Sequence, residues 1–232
     1  LAHVNYKFPF WVAGILGLIS TVVAWRFLPH DEDELFKSET KNPENELLTG
    51  GWSQLKQIMT PILITLFGMI FVASFGLAGF ESIYSLYVNE VHNFDLNAIA
   101  LVLTLNGIIS LILQVFFFDR LVRWLGEVRL MRYSFFLSLV GTIMVIYDHN
   151  HWHIIIATLF VFEAFDMLRP TITTLLTKMS KTNQGLLNGV NMSLTSVGNI
   201  IGPLISGYLL DVNYQYPYWF VSIFLITSWV IT

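Results

Sequence analysis

The chain has 232 residues, of which 55% are hydrophobic and only 12% are charged. Its mean hydropathy of +0.64 exceeds what a soluble domain of this length needs to fill its core, so a membrane protein is the expected class. The sequence contains no cysteine, which excludes disulfides and thiolate metal sites. The formal net charge of −4 shows no bias towards nucleic acid as a partner.

Seven apolar runs of roughly the length that crosses a hydrocarbon core follow one another along the chain. The first extends from Phe8 to Leu28, and a polar linker from His30 to Met59 separates it from the others. The other six are predicted at about 62–88, 98–118, 133–147, 154–177, 186–210 and 218–232. The pattern therefore predicts an all-α polytopic membrane protein. Because the sequence starts without an initiator Met and stops inside an apolar run, we expect a longer protein.

The basic residues predict the orientation of these spans. If the long linker lies in the cytoplasm, alternation places ten of the twelve Lys and Arg on the cytoplasmic side, as the positive-inside rule requires. Only Lys7 is then outside and Arg169 within a span. The ten cytoplasmic residues are Arg26, Lys37, Lys41, Lys56, Arg120, Arg123, Arg129, Arg132, Lys178 and Lys181.

The chain has one span, then a long cytoplasmic linker, then six further spans. This organisation resembles the major facilitator superfamily, in which two six-helix halves are joined by a long cytoplasmic loop. By this resemblance residues 1–28 are transmembrane helix six of the N-terminal half and residues 29–60 are the cytoplasmic linker. Residues 61–232 are the C-terminal six-helix transmembrane half, with its last helix truncated. The resemblance implies that the N-terminal half of the same chain is a missing partner.

Between the third and fourth spans, Asp119, Arg120 and Arg123 resemble the superfamily's cytoplasmic loop motif, Gly-x-x-x-Asp-Arg-x-x-x-Arg. The chain departs from that motif in having Val115 at the first Gly and an irregular spacing after Arg120. Asp119 can accept charge-assisted hydrogen bonds from a neighbouring helix, and the arginines can hold the loop at the headgroup level. A plain positive-inside loop is the alternative interpretation.

The sixth span carries a series of small residues and a proline. Small residues four apart let two helices approach closely, and proline is tolerated because neighbouring groups take up the freed carbonyl. The segment resembles the Gly-Pro motif of drug:proton antiporters, but the diagnostic copy in that family lies in helix five. We therefore expect a role in helix packing. The residues concerned are Gly198, Gly202, Pro203 and Gly207.

The same span carries Asn188, Asn191, Thr195 and Asn199 at positions i, i+3, i+7 and i+11, which form one polar stripe. Such a stripe must face protein or a water-filled cavity. Two interpretations stay open, namely lining of the transport pathway and hydrogen bonding to a neighbouring helix.

The fifth span holds Glu163, Asp166 and Arg169 inside a long apolar run. A charge near the bilayer centre costs roughly 2.5–3.5 kcal/mol on insertion scales, so three charges within two helical turns predict a working site. Their spacing places them in one sector of the helix, where Arg169 can pair with Asp166 one turn away.

Glu81 is the corresponding carboxylate of the second span, and it shares a helix face with Tyr84. The second and fifth spans thus contain three acids, Glu81, Glu163 and Asp166, but only one cation, Arg169. Burial and a neighbouring like charge favour the neutral form of a carboxylate, so at least one is expected to bind a proton near neutral pH. The alternatives are a Glu81 that reaches the membrane surface and a static ion pair that joins two helices.

The segments Phe80–Tyr87 and Phe165–Pro170 together resemble NorA-type bacterial multidrug:proton antiporters, which have a helix-seven Glu and a helix-ten Asp followed by Arg-Pro. The resemblance implies that Glu81 and Asp166 couple protons and bind cationic drugs, with Arg169 as charge partner; no family role transfers to Glu163. Further candidates for this site are Glu163, Tyr84 and Phe165, together with Asn188, Asn191 and Thr195. Phe80, Tyr84, Phe162, Phe165 and Met167 are predicted to form an apolar cavity wall.

The resemblance implies proton-coupled efflux of apolar or cationic drugs by alternating access, in a multi-pass protein of the bacterial plasma membrane. The expected partners are a small drug-like substrate and the lipid bilayer, with protons as the coupling ion and no other cofactor, metal or catalytic residue. A carrier of a sugar or other metabolite is the alternative, and a non-transporting membrane scaffold or enzyme a remote one. The spacing of His149, His151 and His153 fits a metal-ligand set, but we expect a solvated loop.

Overall fold

A computed structural model describes residues 8–27, 59–148, 150–179 and 184–232. All regular structure in these residues is helical, which confirms the all-α class. A five-residue π-helical segment, Leu113–Phe117, joins the third helix to the fourth. The predicted linker at 29–60 lies almost entirely outside the described residues. The helices are α1 (Phe8–Phe27), α2 (Pro61–His92), α3 (Leu96–Ile112), α4 (Phe118–Leu125), α5 (Glu127–Tyr147), α6 (His151–Met179), α7 (Gln184–Val212) and α8 (Tyr216–Ile231).

The chain divides into two compact units, residues 1–57 and 58–232. The described part of the first unit is α1, an apolar helix with Arg26 in its last turn. The second unit contains α2 to α8 and all of the site residues discussed below.

Four helical stretches are long and apolar enough to cross a bilayer, judged by length and composition. They are Pro61–His92, Leu96–Leu125, Glu127–Tyr147 and Gln184–Val212. Two further apolar helices, Trp11–Arg26 and Tyr216–Ile231, are shorter. Helix α6 has 29 residues, like α7, but carries the three charges of the predicted site within its length. Each predicted span thus corresponds to one of these helical stretches.

The exposed surface of α3 and of the π-helical segment is largely apolar. On α3 and the π-helical segment, Leu101, Ile108, Leu111, Val115 and Phe116 are all exposed. A helix that is apolar on its exposed face as well as its buried one is typical of a membrane span, because water would make that exposure costly.

Polar residues mark the ends of the helices. Thr60 caps α2 by accepting a hydrogen bond from the backbone of Leu63, and Asn93 ends that helix in the left-handed conformation with φ 55°. Asp95 then caps α3, its Oδ1 accepting from the Ala98 amide at 2.8 Å. These caps make the turn between α2 and α3 short, so that the two spans follow one another directly.

Aromatic rings join α2, α6 and α8 in the core. Phe80 lies 5.3 Å from Phe162 and 5.3 Å from Tyr218, measured between ring centroids. Tyr84 lies 5.6 Å from Phe162, and Tyr87 lies 4.5 Å from Tyr218. Each such pair contributes about 0.5–1.5 kcal/mol beyond the burial of its surface. The cluster therefore fixes how α2 faces α6.

Glycines bring α2 and α7 into close contact. A Cβ at Gly202 would lie 2.7 Å from the carbonyl oxygen of Phe75. A Cβ at Gly198 would lie 2.9 Å from the backbone nitrogen of Phe75. A Cβ at Gly79 would lie 2.6 Å from Ser206 Oγ. Real Cβ atoms do not approach backbone this closely, so the two helices can touch only because these positions lack side chains.

Two other residues of the predicted packing motif behave differently. A Cβ at Gly207 would meet nothing within 4 Å, so no close helix contact occurs there. Pro203 lies within α7 and is half-buried. Of the three glycines of the motif, Gly198 and Gly202 therefore lie where α2 and α7 touch, and Gly207 does not.

We predict that Gly202→Ala lowers the stability of the full-length protein by about 1–3 kcal/mol, because the new Cβ meets the backbone of Phe75, which cannot move independently. Gly207→Ala is the matched control, with the same change on the same helix but no neighbour. It should leave stability unchanged or slightly higher, since alanine favours helix. Tm in detergent measures both; equal Tm values for the two variants would contradict the prediction.

Candidate functional site

The centre of α6 holds the charged residues and a proline. Pro170 has no amide hydrogen, so the carbonyl of Asp166 lacks its usual donor within the helix. The hydroxyls of Thr171 and Thr174 donate to the carbonyls of Met167, at 2.6 Å, and of Pro170, at 2.7 Å. The sequence thus places a break in the backbone hydrogen bonding directly at the charged residues.

Asp166 is held by α3. Ser110 Oγ donates to Asp166 Oδ2 at 2.8 Å, and Gln114 Nε2 donates to Ser110 Oγ at 3.0 Å. Gln114 belongs to the π-helical segment Leu113–Phe117, and such segments frequently occur at functional sites. Sequence reasoning missed Ser110. The four-residue spacing of two polar side chains in an apolar span could have indicated it.

Arg169 does not form an ion pair with Asp166 in the described part of the chain. Its Nη2 instead donates to Asn199 Oδ1 on α7 at 2.8 Å, while its Nε is buried without a partner among the described residues. The long arginine side chain reaches α7, where Asn199 rather than Asp166 accepts its hydrogen bond.

The polar stripe of α7 faces α6 at two of its four positions. Asn191 Nδ2 donates to Thr173 Oγ1 at 3.1 Å, and Asn199 accepts from Arg169 as described. Asn188 is exposed and Thr195 half-buried, and neither makes a side-chain hydrogen bond to another described residue. Hydrogen bonding to a neighbouring helix is therefore seen at two positions.

Glu81 lies on α2 and is exposed. No hydrogen bond or ion pair joins it to Asp166 or to any other described residue. The structure therefore leaves the Glu81 carboxylate available at the surface of this unit, while Asp166 is held between α6 and α3.

Four of the five residues expected to form an apolar cavity wall lie in the hydrophobic core, whereas the fifth, Met167, lines a cavity together with Glu163. Tyr84 is 1% exposed and Phe165 is fully buried. Phe165 occupies the space above Gly76, where a Cβ would lie 2.9 Å from the ring. Large aromatic side chains at a close helix contact fill the interior, which explains their burial. The five residues are Phe80, Tyr84, Phe162, Phe165 and Met167, and all are buried.

Glu163 occupies different surroundings from Asp166, although the two are only one turn apart. It is 7% exposed, and both of its carboxylate oxygens are buried without a hydrogen-bond partner among the described residues. Its side chain lines a cavity of about 440 Å³ between α3, α4, α5 and α6. The structure thus separates Glu163 from the Asp166 and Arg169 contacts.

The residues of the predicted cytoplasmic loop motif lie on α4. Asp119, Arg120 and Arg123 are exposed and make no side-chain hydrogen bond or ion pair within the described residues. The ionic contact at this end of the bundle is between Lys178 Nζ on α6 and Glu127 Oε1 on α5. Sequence reasoning missed this pair, because its members lie 51 positions apart.

The predicted histidine cluster lies partly outside the described residues, since His149 is not described. His153 Nδ1 lies 2.9 Å from Asp148 Oδ2. Within the described part of the chain, no three His, Asp or Glu side chains are arranged so that they could hold a metal ion.

We predict that Asn199→Ala lowers the stability of the full-length protein by about 1 kcal/mol, because it leaves the half-buried guanidinium of Arg169 without its acceptor. Asn188→Ala is the matched control on the same helix, since Asn188 is exposed and has no such bond, and its Tm should not change. Thermal unfolding in detergent compares the two; a larger loss for Asn188→Ala would refute the assignment of the bond.

Comparison with known proteins gives two kinds of match. Residues 1–147 and residues 66–232 each match the family model described as Major Facilitator Superfamily. The chain is 36% identical over 225 residues to multidrug resistance protein 1 of Bacillus subtilis, and 35% identical over 218 residues to the quinolone resistance protein NorA of Staphylococcus aureus. These alignments cover 97% and 94% of this chain but 56% and 54% of the relatives. The chain therefore spans about half the length of these relatives.

Proposed function

Because the chain belongs to the major facilitator superfamily, we propose that the full-length protein exports apolar or cationic drug-like compounds in exchange for protons. The chain is part of a multi-pass protein of the bacterial plasma membrane. The proposed coupling residues are Glu81 and Asp166, with Arg169 as a nearby fixed charge.

The observation that carries the proposal is the environment of Asp166. Its carboxylate accepts a hydrogen bond from a neutral hydroxyl, that of Ser110, while Arg169 is engaged by Asn199. A hydroxyl can donate to an ionised carboxylate and accept from a protonated one, so this contact suits both forms. A carboxylate in a direct ion pair would be held in the charged form. Asp166 is therefore suited to gain and lose a proton inside the bilayer.

Glu81 supplies the second carboxylate. Since it is exposed on α2 and has no partner among the described residues, a cationic substrate can reach it without first breaking an ion pair. Protons entering from outside neutralise Glu81 and Asp166, and the cation is released. Loss of these protons to the cytoplasm then restores the negative site, as alternating access requires.

The names of the relatives support the substrate class. One is a multidrug resistance protein and the other a quinolone resistance protein, and each aligns with nearly all of this chain. We propose protons as the coupling ion and the N-terminal half as the partner needed for alternating access. No cofactor, metal or enzymatic activity forms part of the proposal.

We predict that Glu81→Gln and Asp166→Asn, made separately in the full-length protein, abolish proton movement driven by ethidium in proteoliposomes, because neither amide can take up a proton at neutral pH. Glu90→Gln is the control, since it removes an exposed carboxylate near the end of the same helix, and it should retain wild-type flux. Normal ethidium-dependent proton flux in both site variants would refute the assignment.

A second comparison separates drug export from metabolite transport. Ethidium export should depend on the proton gradient and stop when a protonophore is added, whereas glucose uptake by the same vesicles should match that of protein-free vesicles. Protonophore-sensitive glucose uptake without ethidium export would favour the sugar-carrier alternative.

A further inference from the structure

The cavity that Glu163 lines is a second feature of this half, separate from the residues assigned to proton coupling. Its volume of about 440 Å³ falls within the roughly 300–1,000 Å³ range of small-molecule sites. Its walls come from α3, α4, α5 and α6, and from Leu113 at the start of the π-helical segment. Neither Glu81 nor Asp166 lines it.

Glu163 is the one charged residue among the residues that line this cavity, and most of the others are apolar. Its side chain is more than nine-tenths buried, and neither carboxylate oxygen has a hydrogen-bond partner among the described residues. An unpaired carboxylate in apolar surroundings is costly. The geometry therefore favours a bound group that offers a positive charge or a donor to these two oxygens.

The neighbouring charges do not supply that group. Asp166, one turn along α6, is itself an acid, and its carboxylate accepts from Ser110. Arg169 donates to Asn199 on α7, and Lys178 pairs with Glu127 at the end of α6. Among the described residues, no cation forms an ion pair with Glu163. A ligand that carries a positive charge would therefore be the first cation to pair with Glu163.

The lining also indicates how a ligand reaches the cavity. Tyr133 on α5 and Phe160 on α6 line it and are themselves 57% and 51% exposed on the outer surface of this unit. These two side chains place one side of the cavity at the exposed surface of this unit. The two aromatic rings can also attract a cation through their faces.

We propose that this cavity binds an apolar molecule carrying a single protonated amine, which enters from the lipid and pairs with the Glu163 carboxylate. Apolar walls with a single buried charge match a ligand with the complementary distribution, an apolar body and a single ammonium group. The proposal concerns binding at this site and does not depend on proton exchange through Glu81 and Asp166.

The test compares amantadine with adamantanol, which have the same rigid cage but carry an ammonium group and a neutral hydroxyl respectively. Binding is measured by equilibrium dialysis against full-length protein in nanodiscs, with empty nanodiscs as the reference for partitioning into lipid. The protein carries Glu81→Gln and Asp166→Asn, so that the coupling carboxylates cannot attract the amine. In this background amantadine should bind more tightly than adamantanol.

Adding Glu163→Gln, which keeps the size of the side chain but removes its charge, should weaken amantadine binding at least about tenfold, as expected for loss of a charged hydrogen bond. Adamantanol binding should stay the same. A second variant, Ala164→Leu, adds bulk at a wall residue and should weaken both compounds because it fills the cavity.

Two results would overturn the proposal. One is the absence of amantadine binding in the Glu81→Gln, Asp166→Asn background. The other is equal binding of both compounds with no effect of Glu163→Gln, which would identify the cavity as a groove for lipid tails. Neither result bears on proton exchange, which is judged separately by the ethidium-driven flux.

Discussion

A charge inside an apolar span must find a partner, and much of the arrangement around α6 follows from this constraint. Asp166 is satisfied by the hydroxyl of Ser110 on α3, and Arg169 by the amide oxygen of Asn199 on α7. Glu163 has no partner among the described residues and lines a cavity beside α5. The three charges of one short segment therefore point to three different surroundings, each supplied by a different neighbouring helix.

Packing elsewhere makes these contacts possible. The absence of side chains at Gly198 and Gly202 lets α7 lie directly against α2. The aromatic rings centred on Phe80 and Phe162 hold α2 against α6. Since α7 and α6 are both positioned by α2, the asparagines of α7 meet α6 at the correct height and rotation. A change in the glycine contact would thus shift Asn199 relative to Arg169.

The separation of Asp166 from Arg169 gives the site its chemical character. A carboxylate and a guanidinium in direct contact would form a stable pair that resists protonation. Here each is held by a neutral side chain instead, so the proton exchange proposed for Asp166 would not require an ion pair to break first. The exposed Glu81 and the buried Glu163 add two carboxylates in different surroundings, one open to ligand and one enclosed by apolar walls.

The sequence by itself determined the all-α class, the order of the spans and the position of the charged segment within α6, because run length and hydrophobicity are local properties of the chain. It also determined that Gly198 and Gly202 could support close packing. It did not determine the partner of Arg169, since the spacing to Asp166 suggested an ion pair within one helix. Only the tertiary structure decided that Ser110 and Asn199 take these roles, that the aromatic residues lie in the core, and that Glu163 faces a separate cavity. The physical reason is that contacts between helices depend on their rotation and separation, which are set by packing across the whole unit.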